Sequence, residues 1–178
     1  MTPPTHWQIS GKKDDSSMYR NTDNDRFHSR KNPRIRDFDY STPNYYFVTI
    51  CTHEKRCIFG TPETLNAFGN IAKSGLLEIE NHFSGVGVDK YVVMPNHVHA
   101  IIVLQNSSAN LSTIIGQYKA FVTKQIHTVS PTKTVWQTSY HDHIIRSQKS
   151  YERIWYYIET NPIKWREDCF YCSTAASK

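Results

Sequence analysis

The run VGVDKYVVMPNHVHAIIVL, residues 86–104, constrains this chain more than any other stretch. Both halves are rich in β-branched residues, and only Pro95-Asn96 divides them. Two strand-like runs with so short a break predict an antiparallel hairpin. Side chains alternate between the faces of a strand, so His97 and His99 share one face while Val98 and Ala100 take the other. Strand rise sets the two histidines about 7 Å apart along the backbone. Imidazoles at that spacing can converge on one divalent ion and leave positions open for substrate oxygens, unlike a closed structural site. On spacing alone, this reading stands level with a pair of exposed or hydrogen-bonded strand histidines.

The remaining elements follow from periodicity. YYFVTICT, from Tyr45, reads as a strand. ETLNAFGNIAKSGLLEIENHF carries Leu65, Phe68, Ile71, Leu76 and Ile79 at helical spacing. LSTIIGQYKAFVTKQIHTV predicts a second helix, capped by Asn110 or Ser112 and stopped at Ser130-Pro131. TVWQTSYHDHIIR supplies a fourth strand or an irregular segment. SYERIWYYIET reads as an aromatic-rich helix, broken at Asn161-Pro162, with a short helix in IKWRED. The order β, α, β, β, α, β and then helices predicts an α+β fold: a ferredoxin-like antiparallel sheet with helices on one face, plus a C-terminal helical extension. Residues 1–38 are polar, mixed in charge and poor in aliphatics, and read as a flexible basic/polar arm. Residues 39–145 form the core, and 146–178 an extension of the same domain.

Charge points to a partner. The chain of 178 residues has a formal net charge of +5. Its distribution is more informative, because Lys90–His141 holds four Lys and four His and no Asp or Glu. Such a segment suits a polyanion, most simply a phosphate backbone. No apolar run has the length of a membrane span, and the N-terminal MTPPTHWQ lacks the apolar stretch of a signal peptide. A cytoplasmic protein with reduced thiols is therefore expected, and no membrane partner. Cys169-Phe-Tyr-Cys172 has CxxC spacing, but Cys51 and Cys57 do not form a second such pair, so the signal for structural zinc is weak.

Pro95-Asn96-His97-Val98-His99 resembles the His-hydrophobic-His signature of HUH endonucleases. With YYFVTICTHEKRCIFG, LSTIIGQYKAFVTKQI, VWQTSYHDHIIRS and YIETNPIKW in order, residues 32–172 resemble the REP-associated tyrosine transposases, single-tyrosine enzymes acting on single-stranded DNA. The resemblance implies a divalent metal, Mg2+ or Mn2+, held by His97 and His99. It also implies a nucleophilic tyrosine on the helix after the His strand, here Tyr118. A phenol has a pKa near 10 and is a poor nucleophile at neutral pH, so a metal on the phosphate oxygens would lower the barrier. Helical spacing alone would make Tyr118 a core residue among Ile114, Ile115, Phe121 and Val122. Related enzymes often take a third ligand from a Gln one turn after the tyrosine. Here that position is Val122, which cannot ligate, and Gln125, Asn96, His143 or water are the alternatives.

Lys119, Arg146, Arg153 and Arg166 are the candidate DNA contacts, set among aromatics that could stack on unpaired bases; Trp155 and Trp165 are read as packing residues. Similar proteins bind palindromic hairpins, so the expected activity is cleavage and rejoining of hairpin-bearing single-stranded DNA through a 5′-phosphotyrosine. The competing readings are a repurposed hairpin-binding protein without nuclease activity and, with less support, an HUH replication initiator or relaxase. A monomer is expected, with a dimer as the alternative.

Overall fold

The computed structural model describes residues 40–131 and 134–172. The expected arm, 1–38, lies outside the described residues. Four strands, β1 (Asn44–Cys51), β2 (Val86–Met94), β3 (His97–Leu104) and β4 (His141–Ile145), form one sheet in the order β2-β3-β1-β4. Every adjacent pair is antiparallel. The hairpin closes with Met94 opposite His97, so Pro95 and Asn96 alone make the connection. Helices α1 (Ala67–His82) and α2 (Leu111–Val129) are the crossovers, and α3 (Gln148–Thr160) follows the sheet. The ferredoxin-like expectation and its α+β class describe this arrangement.

Each helix begins where a side chain can satisfy a free backbone N–H. Asn66 accepts from Gly69 N, Asn110 from Thr113 N and Ser147 from Ser150 N. Asn110, and not Ser112, is the cap of α2. The two faces of the sheet are covered differently. Val48, Ile50, Val98, Ala100 and Ile102 pack against Leu76 and Ile79 of α1 and Ile114, Ile115 and Val122 of α2. On the reverse face Phe47, Ile101, Val103 and Ile145 pack against Tyr151, Ile154 and Ile158 of α3. Helices α1 and α2 cross closely at Gly75, where a Cβ would sit 2.9 Å from Val122 Cγ2 and 3.1 Å from Tyr118 Cε2.

Cys57 and Cys172 form a disulfide that ties the last described residue to the loop after β1. This corrects the expectation of uniformly reduced thiols. It also removes Cys172 from the CxxC pair and leaves Cys169 as an exposed thiol. Among the described residues, no helix is long and apolar enough to cross a membrane.

Candidate active site

β3 is an inner strand, so the first residues after the hairpin turn are enclosed on both sides. His97 is 0% and His99 2% exposed. Both face the α3 side of the sheet, with ring centroids 4.4 Å apart. Thr49 lies opposite His99 on β1, and its Oγ1 is 2.8 Å from His99 Nδ1. Asn96 Oδ1 is 2.8 Å from His97 Nδ1. The ring of Phe47 stacks on His99 at 5.2 Å.

A third group arrives from beyond α3. The chain leaves Thr160, turns through the short 3-10 helix Trp165–Glu167 and brings Asp168 over the histidines. Ligand atoms of His97, His99 and Asp168 all lie within 4.8 Å of one another. Asp168 Oδ2 accepts from Asn161 Nδ2 at 2.6 Å, and Oδ1 accepts from Phe170 N at 2.7 Å. The Phe170 ring closes over His97, 4.7 Å between centroids.

Helix α3 adds a phenol. Ile154 and Ile158 are buried on the sheet, which turns Tyr157 toward the histidines. The Tyr157 oxygen is 3.2 Å from His99 Nε2 and donates to Asp168 Oδ2 at 3.3 Å. Tyr157 remains 39% exposed, so the phenol stands at the mouth of the site.

Desolvation dominates the electrostatics. Burial, aided by the Lys55 charge, pushes the His97 pKa down to about 3. Burial and the neighbouring His97 hold His99 well below its usual 6.5, against the opposing pull of Asp168. Both imidazoles are therefore neutral at neutral pH, the form that ligates metals. His97 Nε2 and Asn161 Oδ1 are buried without a hydrogen-bond partner among the described residues. A buried polar atom without a partner costs free energy, and a cation would supply the missing one. Two imidazoles and a carboxylate fit a divalent ion, and the orphaned Asn161 oxygen belongs to the amide that donates to that carboxylate.

The expected nucleophile is elsewhere. Tyr118 sits on the opposite face of the sheet, 2% exposed, in the core formed by α1 and α2. Its OH donates to Ala72 O at 3.1 Å, and burial drives its pKa far above the usual 10. The structure does not bring Tyr118 to the histidines, because the sheet stands between them. Of the alternative ligands, Gln125 is the one carried by a helix of that opposite face. Val122 is core, Gln125 lies on α2, and the Oδ1 of Asn96 is spent on His97. His143 is outside the cluster.

Of the candidate DNA contacts, Lys119 donates to Gln137 O and Thr138 O beside the α2 face. Arg146 and Arg166 are exposed, and Arg153 lies one turn before Tyr157 on α3. Trp165 is buried, as a packing residue should be, but Trp155 is 37% exposed with Lys90 Nζ 3.9 Å above its ring. Tyr157 lies in the aromatic-rich SYERIWYYIET helix, where local sequence carries no mark of a histidine neighbour. Asp168 gave no periodic signal at all.

Residues 40–161 match the family model described as Transposase IS200 like. The chain belongs to the IS200-like transposase family. That span runs from β1 through α3 and so contains the histidine pair and Tyr157. An uncharacterised protein of Haemophilus influenzae is 34% identical over 169 aligned residues, covering 81% of this chain and 94% of its own. A REP-associated tyrosine transposase of Escherichia coli is 31% identical over 77 residues, covering 43% of this chain and 44% of its own. Among solved structures, a REP-associated tyrosine transposase bound to a REP hairpin is similar in fold. Its TM-score is 0.55 at 21% identity, with 74% of this chain and 73% of that chain covered. This IS200-like transposase thus shares its sheet-and-helix framework with a hairpin-bound relative.

Proposed function

We propose that this chain is a metal-dependent single-stranded DNA endonuclease and transposase that acts on palindromic, REP-type hairpins, with Tyr157 in place of Tyr118 as the nucleophile. The observation that carries this reading is the Tyr157 oxygen, 3.2 Å from His99 Nε2 and hydrogen-bonded to Asp168, in a cluster with an orphaned His97 nitrogen. His97, His99 and Asp168 would hold a divalent ion, magnesium or manganese, with Asn161 as a further oxygen donor. Asn161 stands one helical turn after Tyr157, the position where related enzymes often carry a ligating Gln. The ion supplies charge neutralisation at the phosphate oxygens.

The Tyr157 oxygen forms a bond to the scissile phosphorus, and the phosphorus–O3′ bond breaks. The phenol proton passes to the Asp168 carboxylate, toward which the hydroxyl already donates, and the departing O3′ takes a proton from water to become a free 3′-OH. The product is a 5′-phosphotyrosine that a 3′-OH can reverse. Arg153, Arg146 and Arg166 are exposed cations around the α3 face and suit the flanking phosphates. Lys119 serves the same strand only if DNA reaches the α2 face. Tyr157, His97, His99, Asp168 and Asn161 meet within one chain, so a monomer suffices.

A second reading, hairpin binding without cleavage, draws on the closed state of the site, with both histidines under Phe170. The deciding experiment incubates labelled hairpin oligonucleotides with and without Mn2+ and resolves them on a denaturing gel. A metal-dependent covalent band that persists in Tyr118→Phe and vanishes in Tyr157→Phe is expected. Equal cleavage by Tyr157→Phe and the parent would sink the assignment, and tight binding with no adduct in any metal would favour the binder.

A further inference from the structure

We propose that Asn96 is a positioning residue that assembles both halves of the candidate metal centre. It fixes the His97 ring with Nε2 free, and it latches the segment carrying Asp168. The inference rests on the metal reading of the site given above.

The argument starts from the two ends of one amide. Asn96 is 1% exposed, so its polar atoms need partners within the protein. Its Nδ2 donates to Phe170 O at 2.7 Å and to Lys55 O at 3.1 Å. Both partners are carbonyl oxygens, which only accept, so the atom facing them must be the NH2. The remaining atom, Oδ1, then faces His97 Nδ1 at 2.8 Å. An amide oxygen only accepts, so His97 Nδ1 must carry the hydrogen. A neutral imidazole with its hydrogen on Nδ1 has its lone pair on Nε2. That nitrogen is the buried atom without a partner among the described residues, and it is the one available to the cluster with His99 and Asp168.

The same side chain reaches the other half of the site. Phe170 O belongs to the strap that begins at Asp168, and Phe170 N closes back on Asp168 Oδ1. Asn96 therefore ties the strap to the hairpin turn from which His97 departs. Its own backbone is held by Thr52, whose N and Oγ1 both donate to Asn96 O, at 2.9 and 3.0 Å. An aspartate at 96 would keep the acceptor toward His97 and lose the donor toward Phe170. Alanine would lose both, which separates the two roles.

The test uses full-length protein labelled with 15N-histidine. Long-range 1H–15N spectra of the metal-free protein report which ring nitrogen of His97 is protonated. Titration with Mn2+, followed by electron paramagnetic resonance, reports metal affinity. The expected result is an Nδ1–H tautomer in the parent and in Asn96→Asp, and a mixed or Nε2–H tautomer in Asn96→Ala. Mn2+ affinity should fall about 10–100-fold in Asn96→Ala. Amide exchange at Phe170 and Tyr171 should accelerate in both variants. An Nε2–H tautomer in the parent overturns the proposal, as does an Asn96→Ala protein with unchanged tautomer and Mn2+ affinity. If Asn96→Ala does not fold, loss of the Nδ1–H tautomer in Asn96→Asp overturns it equally. A parent that shows the Nδ1–H tautomer but binds no Mn2+ sinks the metal reading instead, a separate failure.

Discussion

Acid should destabilise this protein through His97 in particular. The perturbation is a drop from pH 6.5 to pH 4.5 in chelator, with His97→Gln as the control. The His97 pKa is about 3 in the folded state against 6.5 for a free imidazole, chiefly through burial. Between those values the unfolded chain binds a proton that the folded chain refuses, so stability rises with pH across the window and is lost as pH falls. Each unit of pH costs about 1.4 kcal/mol, so two units cost about 2–3 kcal/mol for this residue. Against a typical stability of about 5–15 kcal/mol the loss is large. Carboxylates that titrate near pH 4.5 cancel in the comparison, whereas His99 is held down partly by His97 itself, so its change adds to the difference between the two proteins. Urea unfolding at the two pH values gives the numbers. With a slope of about 1–3 kcal/mol per molar urea, the parent midpoint should fall about 1–2 M further than that of His97→Gln. Equal shifts in the two proteins would refute the argument, since His97 would then be titrating normally in the fold.

The other predictions concern the opposite face and the strap. Tyr118→Phe removes one buried hydrogen bond, to Ala72 O, and should cost about 1 kcal/mol in urea unfolding while the DNA adduct persists; loss of the adduct in a folded variant would return Tyr118 to the chemistry. Gly75→Ala places a methyl about 3 Å from Val122, Phe121 and Tyr118 side chains, and should lower stability by about 1–3 kcal/mol; a thermal midpoint equal to the parent's would show that α1 and α2 can separate freely. Asp168→Asn should raise the Mn2+ concentration needed for half-maximal adduct about tenfold or more, and an unchanged requirement would remove Asp168 from the ligand set.

Much of the fold was legible because each signal was local. The alternation of β3 put His97 and His99 on one face, and the two-residue break at Pro95-Asn96 demanded the hairpin. Helix α2 was legible too, down to Asn110 as one of its two candidate caps. The face on which Tyr118 lies was not legible, for a reason periodicity cannot repair by itself. Its stripe, Leu111, Ile114, Ile115, Tyr118, Val122 and Ile126, says that this side of the helix is buried but not which face of the sheet buries it. Trp155 escaped for the converse reason, since an aromatic side chain on a helix carries no local mark of a Lys90 approaching from β2.

The face was nevertheless recoverable from connectivity. β1 and β2 are parallel with β3 between them, and β3 and β4 are parallel with β1 between them. Both crossovers, α1 and α2, obey the same right-handed rule and so cover one face together. β3 is apolar on both faces, with Val98, Ala100 and Ile102 on one and Ile101 and Val103 on the other. The second face also needs a cover, and α3 is the helix left to supply it. Histidines that share a face with Ile101 must then meet a residue of α3, and Tyr157, at the edge of the buried stripe that Ile154 and Ile158 form, is a phenol within reach. Asp168 lies past this logic, because it is delivered by an irregular strap held by Asn96, Asn161 and Cys57. Its place depends on contacts between residues distant in sequence, so it becomes visible only once the sheet, α3 and the strap are assembled together.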